Sequence, residues 1–152
     1  MISIDQIKKL REKTGAGIMD CRRALEETKG DEKKASELLK KWGIDRAEKK
    51  ADRETKAGIV DSYIHLGGKV GVLLEILCET DFVAKTDDFK NLSHELCLQI
   101  ASMKPENVKE LLKQEYIRDT SITIENLVKQ TIGKLGENIT VARFTRYQLG
   151  IK

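Results

Sequence analysis

The residue types that most often carry catalysis or bind metals are few in this sequence, and their spacing is unfavourable. The three cysteines, Cys21, Cys78 and Cys97, lie far apart and form neither a Cys-x-x-Cys nor a Cys-x-x-His cluster that could hold zinc. The sequence contains no phosphate-binding glycine loop, nucleophile elbow, zinc-protease helix motif or dinucleotide fingerprint. We therefore expect buried thiols in a reducing compartment, no metal, no cofactor and no enzyme activity.

The two histidines also give no sign of acid–base chemistry. His94 lies in an apolar helical pattern with no carboxylate spaced to pair with it, so we predict a partly buried helix residue rather than a catalytic base. His65 ends a predicted strand beside a glycine turn, where contact with a partner and plain exposure to solvent fit the pattern equally well. A hydrolase or transferase would need a nucleophile next to a base, and the sequence offers no such pair.

One segment, Glu79–Thr86, places an acid beside a large aromatic side chain. It follows an apolar strand and precedes a capped helix, so packed elements hold it at both ends. Phe82 in such a connection either folds back into the core or stands out as an anchor for a pocket on a partner. The residue types alone favour the first alternative, a position of Phe82 in the core.

The elements that position this segment begin with three predicted helices in residues 1–43. Ser3 and Gln6 predict a capping box for the first helix, and the two glycines of Thr14–Gly17 end it. Gly43 stands where a glycine cap ends the third helix. The charged residues 44–56 predict a solvated helix or linker, with a basic contact strip as the alternative, and a domain boundary near residue 55 follows.

After that boundary the apolar residues alternate, as in strands. Ile59–His65 and Val70–Leu77 flank a Gly-Gly turn and predict a hairpin, whose second strand should be central or covered because it is apolar on both faces. Three helices follow: one capped by Asp87 that runs to Met103, a short one at Asn107–Lys113 and one capped by Thr123. Asn138–Tyr147 alternates and predicts a closing strand. The predicted fold class is α+β: a helical head at 1–43, a charged linker or helix at 44–56, and an α+β core with an antiparallel sheet at 57–152.

Composition argues against membranes and nucleic acid. The most apolar stretch, Val70–Cys78, is interrupted by Gly71 and Glu75, and the N-terminus lacks the features of a secretion signal, so we expect a cytoplasmic protein without a membrane span. Residues 1–56 carry a net charge of +4 and residues 57–152 one of −1, an excess too small for phosphate-driven binding. A nucleic-acid- or ribosome-binding adaptor that uses Arg46–Lys56 is the alternative function.

Three stretches of the chain resemble the bacterial-type elongation factor Ts family, in the order in which the family has them. They are Lys8–Asp31, Gly68–Phe89 and Leu135–Gly150. The resemblance implies a non-enzymatic guanine-nucleotide exchange factor that binds elongation factor Tu·GDP and promotes GDP release during translation elongation. It also implies that the head is a UBA-like (ubiquitin-associated type) domain that sits on the partner's nucleotide-binding domain.

The same resemblance implies the site residues. Thr80-Asp81-Phe82-Val83 corresponds to the family's wedge, with Asp81 and Phe82 inserted between helices of the partner beside its nucleotide and magnesium. Lys85, where many relatives have Arg, keeps the positive charge. The residues that correspond to the head's contact edge are Leu10, Arg11, Thr14, Gly15, Ala16, Gly17 and Met19.

The chain departs from the family in length. Members commonly carry two similar α+β halves, whereas here the resemblance passes from about Met103 to about Lys113 and one core half is missing. We expect a two-fold homodimer through the α+β cores as the substitute, because the strands Val70–Leu77 and Asn138–Tyr147 carry apolar residues on both faces. The hairpin tip would be the patch that a second copy presents, with His65, Gly67 and Gly68 as its contact residues.

Overall fold

The computed structural model describes residues 1–65 and 67–151 of the chain. The helices in this part are α1 (Ile4–Thr14), α2 (Ile18–Glu27), α3 (Glu32–Lys50), α4 (Asp81–Ala84), α5 (Asp87–Met103), α6 (Val108–Lys113) and α7 (Ile124–Leu135). The strands are β1 (Ala57–Ile64), β2 (Val70–Cys78), β3 (Glu115–Tyr116), β4 (Asp119–Thr123) and β5 (Ile139–Gln148). The predicted α+β class is confirmed. The UBA-like type of the head stays a prediction.

The helical head, α1 to the first half of α3, has a small core of its own. The predicted capping box is present: the Ser3 Oγ accepts from the Gln6 N–H at 3.2 Å, and the Gln6 Oε1 accepts from the Ser3 N–H at 2.9 Å. α1 ends at Gly15, whose φ of +69° is a conformation that glycine adopts without strain. The buried side chains of the head are Leu10, Cys21, Ala24, Leu25, Ala35 and Leu39.

The third helix does not end at Gly43, so that prediction is wrong. α3 continues for 19 residues to Lys50 and packs against α7. A Cβ on Gly133 of α7 would overlap the Cα and carbonyl group of Gly43, so these two glycines allow close approach of two helix backbones. Ala47, one turn further on, belongs to the buried cluster of the α+β core. α3 is therefore a continuous helix that joins the head to the core. The domain boundary predicted near residue 55 stays a prediction.

A three-stranded antiparallel sheet in the order β1-β2-β5 forms the floor of the core. β2 is central, as predicted from its apolar faces, with Ile64 paired to Gly71 and Leu73 paired to Thr145. α5 lies across one face of the sheet, and its Leu96 and Ile100 join the buried cluster there. The opposite face carries no helix among the described residues.

Two features of the second half were not predicted. β3 and β4 form a short hairpin between α6 and α7, which their polar sequence does not suggest. The helix predicted to run to Met103 is present, but the prediction that Asp87 caps it is wrong. Thr86 is the N-cap, because the Thr86 Oγ1 accepts from the Phe89 N–H at 3.3 Å, and Asp87 is the first helical residue. Within the described ranges, no helix is long and apolar enough to cross a membrane.

Candidate partner-binding surface

The connection between β2 and α5 folds into a single helical turn, α4, which we call the wedge turn (Glu79–Thr86). Thr80 caps the turn, since its Oγ1 accepts from the Val83 N–H at 3.3 Å. At the other end the Thr86 hydroxyl donates to the Val83 carbonyl at 2.7 Å. Val83 and Ala84 are buried in the core. The wedge turn is thus anchored on its inner side and at both ends.

Phe82 projects from the wedge turn into solvent, with 81% of its surface exposed. The core position that the residue types favoured is therefore wrong. The cause is helical geometry: with Val83 and Ala84 facing inward on so short a turn, Asp81 and Phe82 face outward. An exposed aromatic ring on an anchored turn has the geometry of an interface anchor, so Phe82 is the candidate partner-binding residue of this segment.

A residue distant in sequence holds the start of the wedge turn. The Glu137 Oε1 accepts from the Thr80 N–H at 3.0 Å, and its Oε2 accepts from the Thr80 hydroxyl at 2.7 Å. The Thr80 carbonyl accepts from the Cys78 thiol at 3.1 Å. Sequence reasoning missed Glu137, because no local pattern links two residues that lie 57 positions apart.

The turn between α1 and α2, Thr14–Gly17, lies at the surface of the head. The Thr14 hydroxyl donates to the Leu10 carbonyl at 2.7 Å and accepts from the Ala16 N–H at 3.3 Å, which fixes the turn. Arg11, Gly15, Gly17 and Met19 are exposed around it, whereas Leu10 lies in the head core. The half-exposed Ile18 adds an apolar side chain to this edge that the sequence did not single out.

Lys134 of α7 links the glycine turn of the head to the first turn of α5, which follows the wedge turn in the chain. A Cβ at Gly15 would overlap the Cε of Lys134, so this side chain lies directly against the glycine turn. The Lys134 Nζ lies 3.1 Å from the Asp88 Oδ1, in the first turn of α5 just after the wedge turn. A cleft of about 390 Å³ opens beside this contact, between the glycine turn, α3 and α7. Lys134 therefore connects the predicted head residue Gly15 with Asp88, two residues beyond the end of the wedge turn.

The hairpin tip lies at the other end of β2. His65, Gly67 and Gly68 are exposed, the His65 Nδ1 lies 3.0 Å from the Tyr63 hydroxyl, and Leu66 lies outside the described residues. β2 separates the tip from the wedge turn by eight residue steps, or about 26 Å. The tip and the wedge turn are thus two separate surfaces.

The three cysteines are buried in the structure, whereas His94 lies at the surface. All three thiols are free and buried, as predicted. Burial raises the pKa of each, that of Cys97 to about 12, so they stay protonated at neutral pH. His94 is exposed, with its ring edge-on to Tyr63 at 6.0 Å between centroids, so the prediction of partial burial is wrong.

Known proteins of one family are similar to this chain over nearly its whole length. A family model described as Elongation factor TS matches residues 79–151. Elongation factor Ts of Thermotoga maritima is 45% identical, over 98% of this chain and 96% of the relative. Elongation factor Ts of Fervidobacterium nodosum is 42% identical over 98% of both chains, and that of Rippkaea orientalis is 45% identical over 98% of this chain and 78% of the relative. The chain belongs to the elongation factor Ts family.

Family membership makes this chain a translation elongation factor. The alignment also shows that the chain is shorter than its relative from Thermotoga maritima. The match to the Thermotoga maritima relative extends over 192 positions, whereas this chain has 152 residues, so at least 40 of those positions have no counterpart here. Because 98% of the chain is aligned, these positions are gaps between matched segments of this chain. This chain therefore reaches the family's closing strand, β5, with fewer residues than that relative.

Proposed function

We propose that this chain is a non-enzymatic guanine-nucleotide exchange factor that binds elongation factor Tu·GDP and promotes GDP release. The observation that carries the proposal is Phe82, an exposed ring on a turn held at both ends. An aromatic side chain fixed in this way loses little freedom when it enters a pocket, which is the property of an interface anchor. Asp81 beside it brings a negative charge towards the nucleotide and magnesium of the partner.

The head edge supplies the second contact. Its glycine turn, with exposed Arg11, Met19 and Ile18, is joined through Lys134 to Asp88 at the start of α5, the helix that follows the wedge turn. In our proposal the head docks on the nucleotide-binding domain and the wedge turn deforms the site. Binding and exchange are then separate tasks of two neighbouring segments, and no covalent step is involved.

Stopped-flow release of labelled GDP from elongation factor Tu tests the proposal. Substoichiometric amounts of this chain should accelerate release over many turnovers without being consumed. A thousandfold acceleration corresponds to about 4 kcal/mol off the dissociation barrier. Unchanged release at saturating factor would refute the exchange function.

An adaptor function through Arg46–Lys56 receives less support. Arg46 pairs with Asp20, Arg53 pairs with Glu79 at 3.7 Å, and Lys56 pairs with Glu54 at 3.5 Å. These ion pairs involve three of the five basic residues of the strip, and its three acidic residues reduce its net charge to +2, which is small for phosphate-driven binding. Weak RNA binding with little dependence on salt is the expected result, and a steep salt dependence would favour the adaptor.

We also propose that the open face of the sheet forms a two-fold homodimer. Val60, Ile64, Leu73 and Tyr147 are each exposed over half or more of their surface on that face. Glu75 and Arg143 pair within it at 3.5 Å, which leaves the face close to neutral. A neutral apolar face suits a second copy of itself.

Light scattering tests the dimer. We expect twice the mass of the 17.2 kDa chain for the wild type and a single chain for Leu73→Lys. A monomeric wild type with full exchange activity would refute the dimer and leave the exchange function standing. The hairpin tip, His65, Gly67 and Gly68, would contribute to the same contact.

The cytoplasm, where translation takes place, is the location we expect.

A further inference from the structure

The corner between α7 and β5, Lys134–Asn138, holds together segments that are remote in sequence. We propose that Glu137 in this corner is a positioning residue for nucleotide exchange, which fixes the direction in which Asp81 and Phe82 project. The inference rests on the proposed exchange function and adds to it a residue that does not itself reach the partner.

The hydrogen bonds at Thr80 are the first support. Glu137 accepts from both the N–H and the hydroxyl of Thr80, and the Cys78 thiol donates to its carbonyl. Burial keeps the Cys78 thiol protonated by raising its pKa, so it remains a donor. Every polar group of Thr80 therefore has a fixed partner, and its hydroxyl in turn caps the wedge turn at Val83.

The shortness of the wedge turn is the second support. A helix of four residues cannot hold its own geometry, because helix formation needs many more residues to offset the cost of nucleation. The direction of Phe82 is thus set by what holds the ends of the turn. Thr86 fixes the end that leads into α5, and Glu137 fixes the beginning.

Asn138, the next residue, connects the same corner to the segment that follows the C-terminal end of α3. Its Nδ2 donates to the carbonyls of Ala51 at 3.3 Å and Arg53 at 2.8 Å, and its side chain is buried. Arg53 also reaches Glu79 at the start of the wedge turn. The head, through α3, and the wedge turn are therefore held by adjacent side chains, which sets the distance between the two contact surfaces.

Exchange kinetics with the full chain test the role of Glu137. Release of labelled GDP is measured at increasing concentrations of wild type, Glu137→Ala and Glu137→Gln. We expect Glu137→Ala to lower the maximal rate about tenfold, with a much smaller change in the half-saturating concentration, because the head contacts remain. Glu137→Gln keeps one acceptor for Thr80 and should fall between the two.

A matched control separates positioning from stability. Glu95 also accepts two hydrogen bonds from a remote segment, from the Tyr116 hydroxyl at 2.8 Å and the Arg118 Nε at 2.7 Å, but neither bond reaches the wedge turn. Glu95→Ala should lower the thermal midpoint and leave the maximal exchange rate unchanged. Partial unfolding would raise the half-saturating concentration, whereas misplacement of Phe82 lowers the maximal rate.

The double variant Glu137→Ala/Phe82→Ala decides whether Glu137 acts through the ring. We expect its maximal rate to equal that of Phe82→Ala alone, because a positioning residue has no effect once its target is removed. A further tenfold loss in the double variant, or a wild-type maximal rate for Glu137→Ala, would overturn the inference. If the wild-type chain itself does not accelerate release, the exchange function is refuted and the positioning role falls with it.

Discussion

Truncation of the wedge ring, Phe82→Ala, separates its role at an interface from any role in the fold. With 81% of the residue exposed, only about a fifth of a side-chain area of roughly 200 Å² is removed from water by folding. At about 25 cal/mol per Å², the loss of folding stability is about 1 kcal/mol or less. For a chain of this size that shifts the thermal midpoint by about 2–4 °C.

Phe89, seven residues further along, is the matched control because it is fully buried in the core. Phe89→Ala should cost about 3–5 kcal/mol of folding stability, several times more than Phe82→Ala. The order should reverse at the interface. An aromatic anchor that fills a pocket contributes about 2 kcal/mol or more, so Phe82→Ala should lower exchange about 30-fold.

Thermal unfolding by circular dichroism and GDP release kinetics on the same preparations measure both quantities. Asp81→Asn should reduce exchange less than Phe82→Ala, because water partly screens the charge of the exposed carboxylate. A thermal midpoint for Phe82→Ala as low as that for Phe89→Ala would mean that the ring stabilises its own fold. Unchanged exchange in a well-folded Phe82→Ala would remove the ring from the interface. Either result would refute the reasoning.

Other predictions concern the α3–α7 contact and the buried ionisable groups. Gly133→Ala should destabilise the chain by about 1–3 kcal/mol in urea unfolding, because its Cβ would overlap Gly43. Gly43→Ala should be tolerated, because its Cβ would meet only ordinary contacts at 3.7 Å and beyond. Equal effects of the two substitutions would contradict this packing. Burial raises the pKa of Tyr116 to about 12 from an ordinary value of about 10, so the unfolded chain releases this proton at lower pH than the folded chain. The resulting contribution to stability is fully present below about pH 10 and should be lost between about pH 10 and 12. Tyr116→Phe should remove this pH dependence from the unfolding curves. Cys97, with a thiol pKa raised to about 12, should react with a thiol reagent at pH 8 only as fast as the chain opens, and rapid labelling of native protein would contradict its burial.

Much of the secondary structure could be read from the sequence because its signals act over a few residues. The Ser3–Gln6 capping box, the glycine turn after α1 and the Thr123 cap of α7 each depend on groups within three or four positions of one another. The β1–β2 hairpin follows from two alternating runs around Gly67-Gly68. The apolar character of both faces of β2 placed this strand at the centre of the sheet. The wedge sequence and the head edge were identified by family resemblance.

The features that position the candidate site depend on contacts between distant parts of the chain. Gly43 has the local appearance of a helix end, yet α3 passes through it because Gly133, 90 positions later, offers a backbone that it can approach closely. Phe82 faces outward because Val83 and Ala84 enter the core. Glu137 holds Thr80 across 57 positions, and Lys134 joins the head edge to α5. Caps and strand alternation are set by short-range sterics and hydrogen bonds, whereas the direction of a side chain on a short turn is set by the packing of whichever segments the completed fold brings beside it.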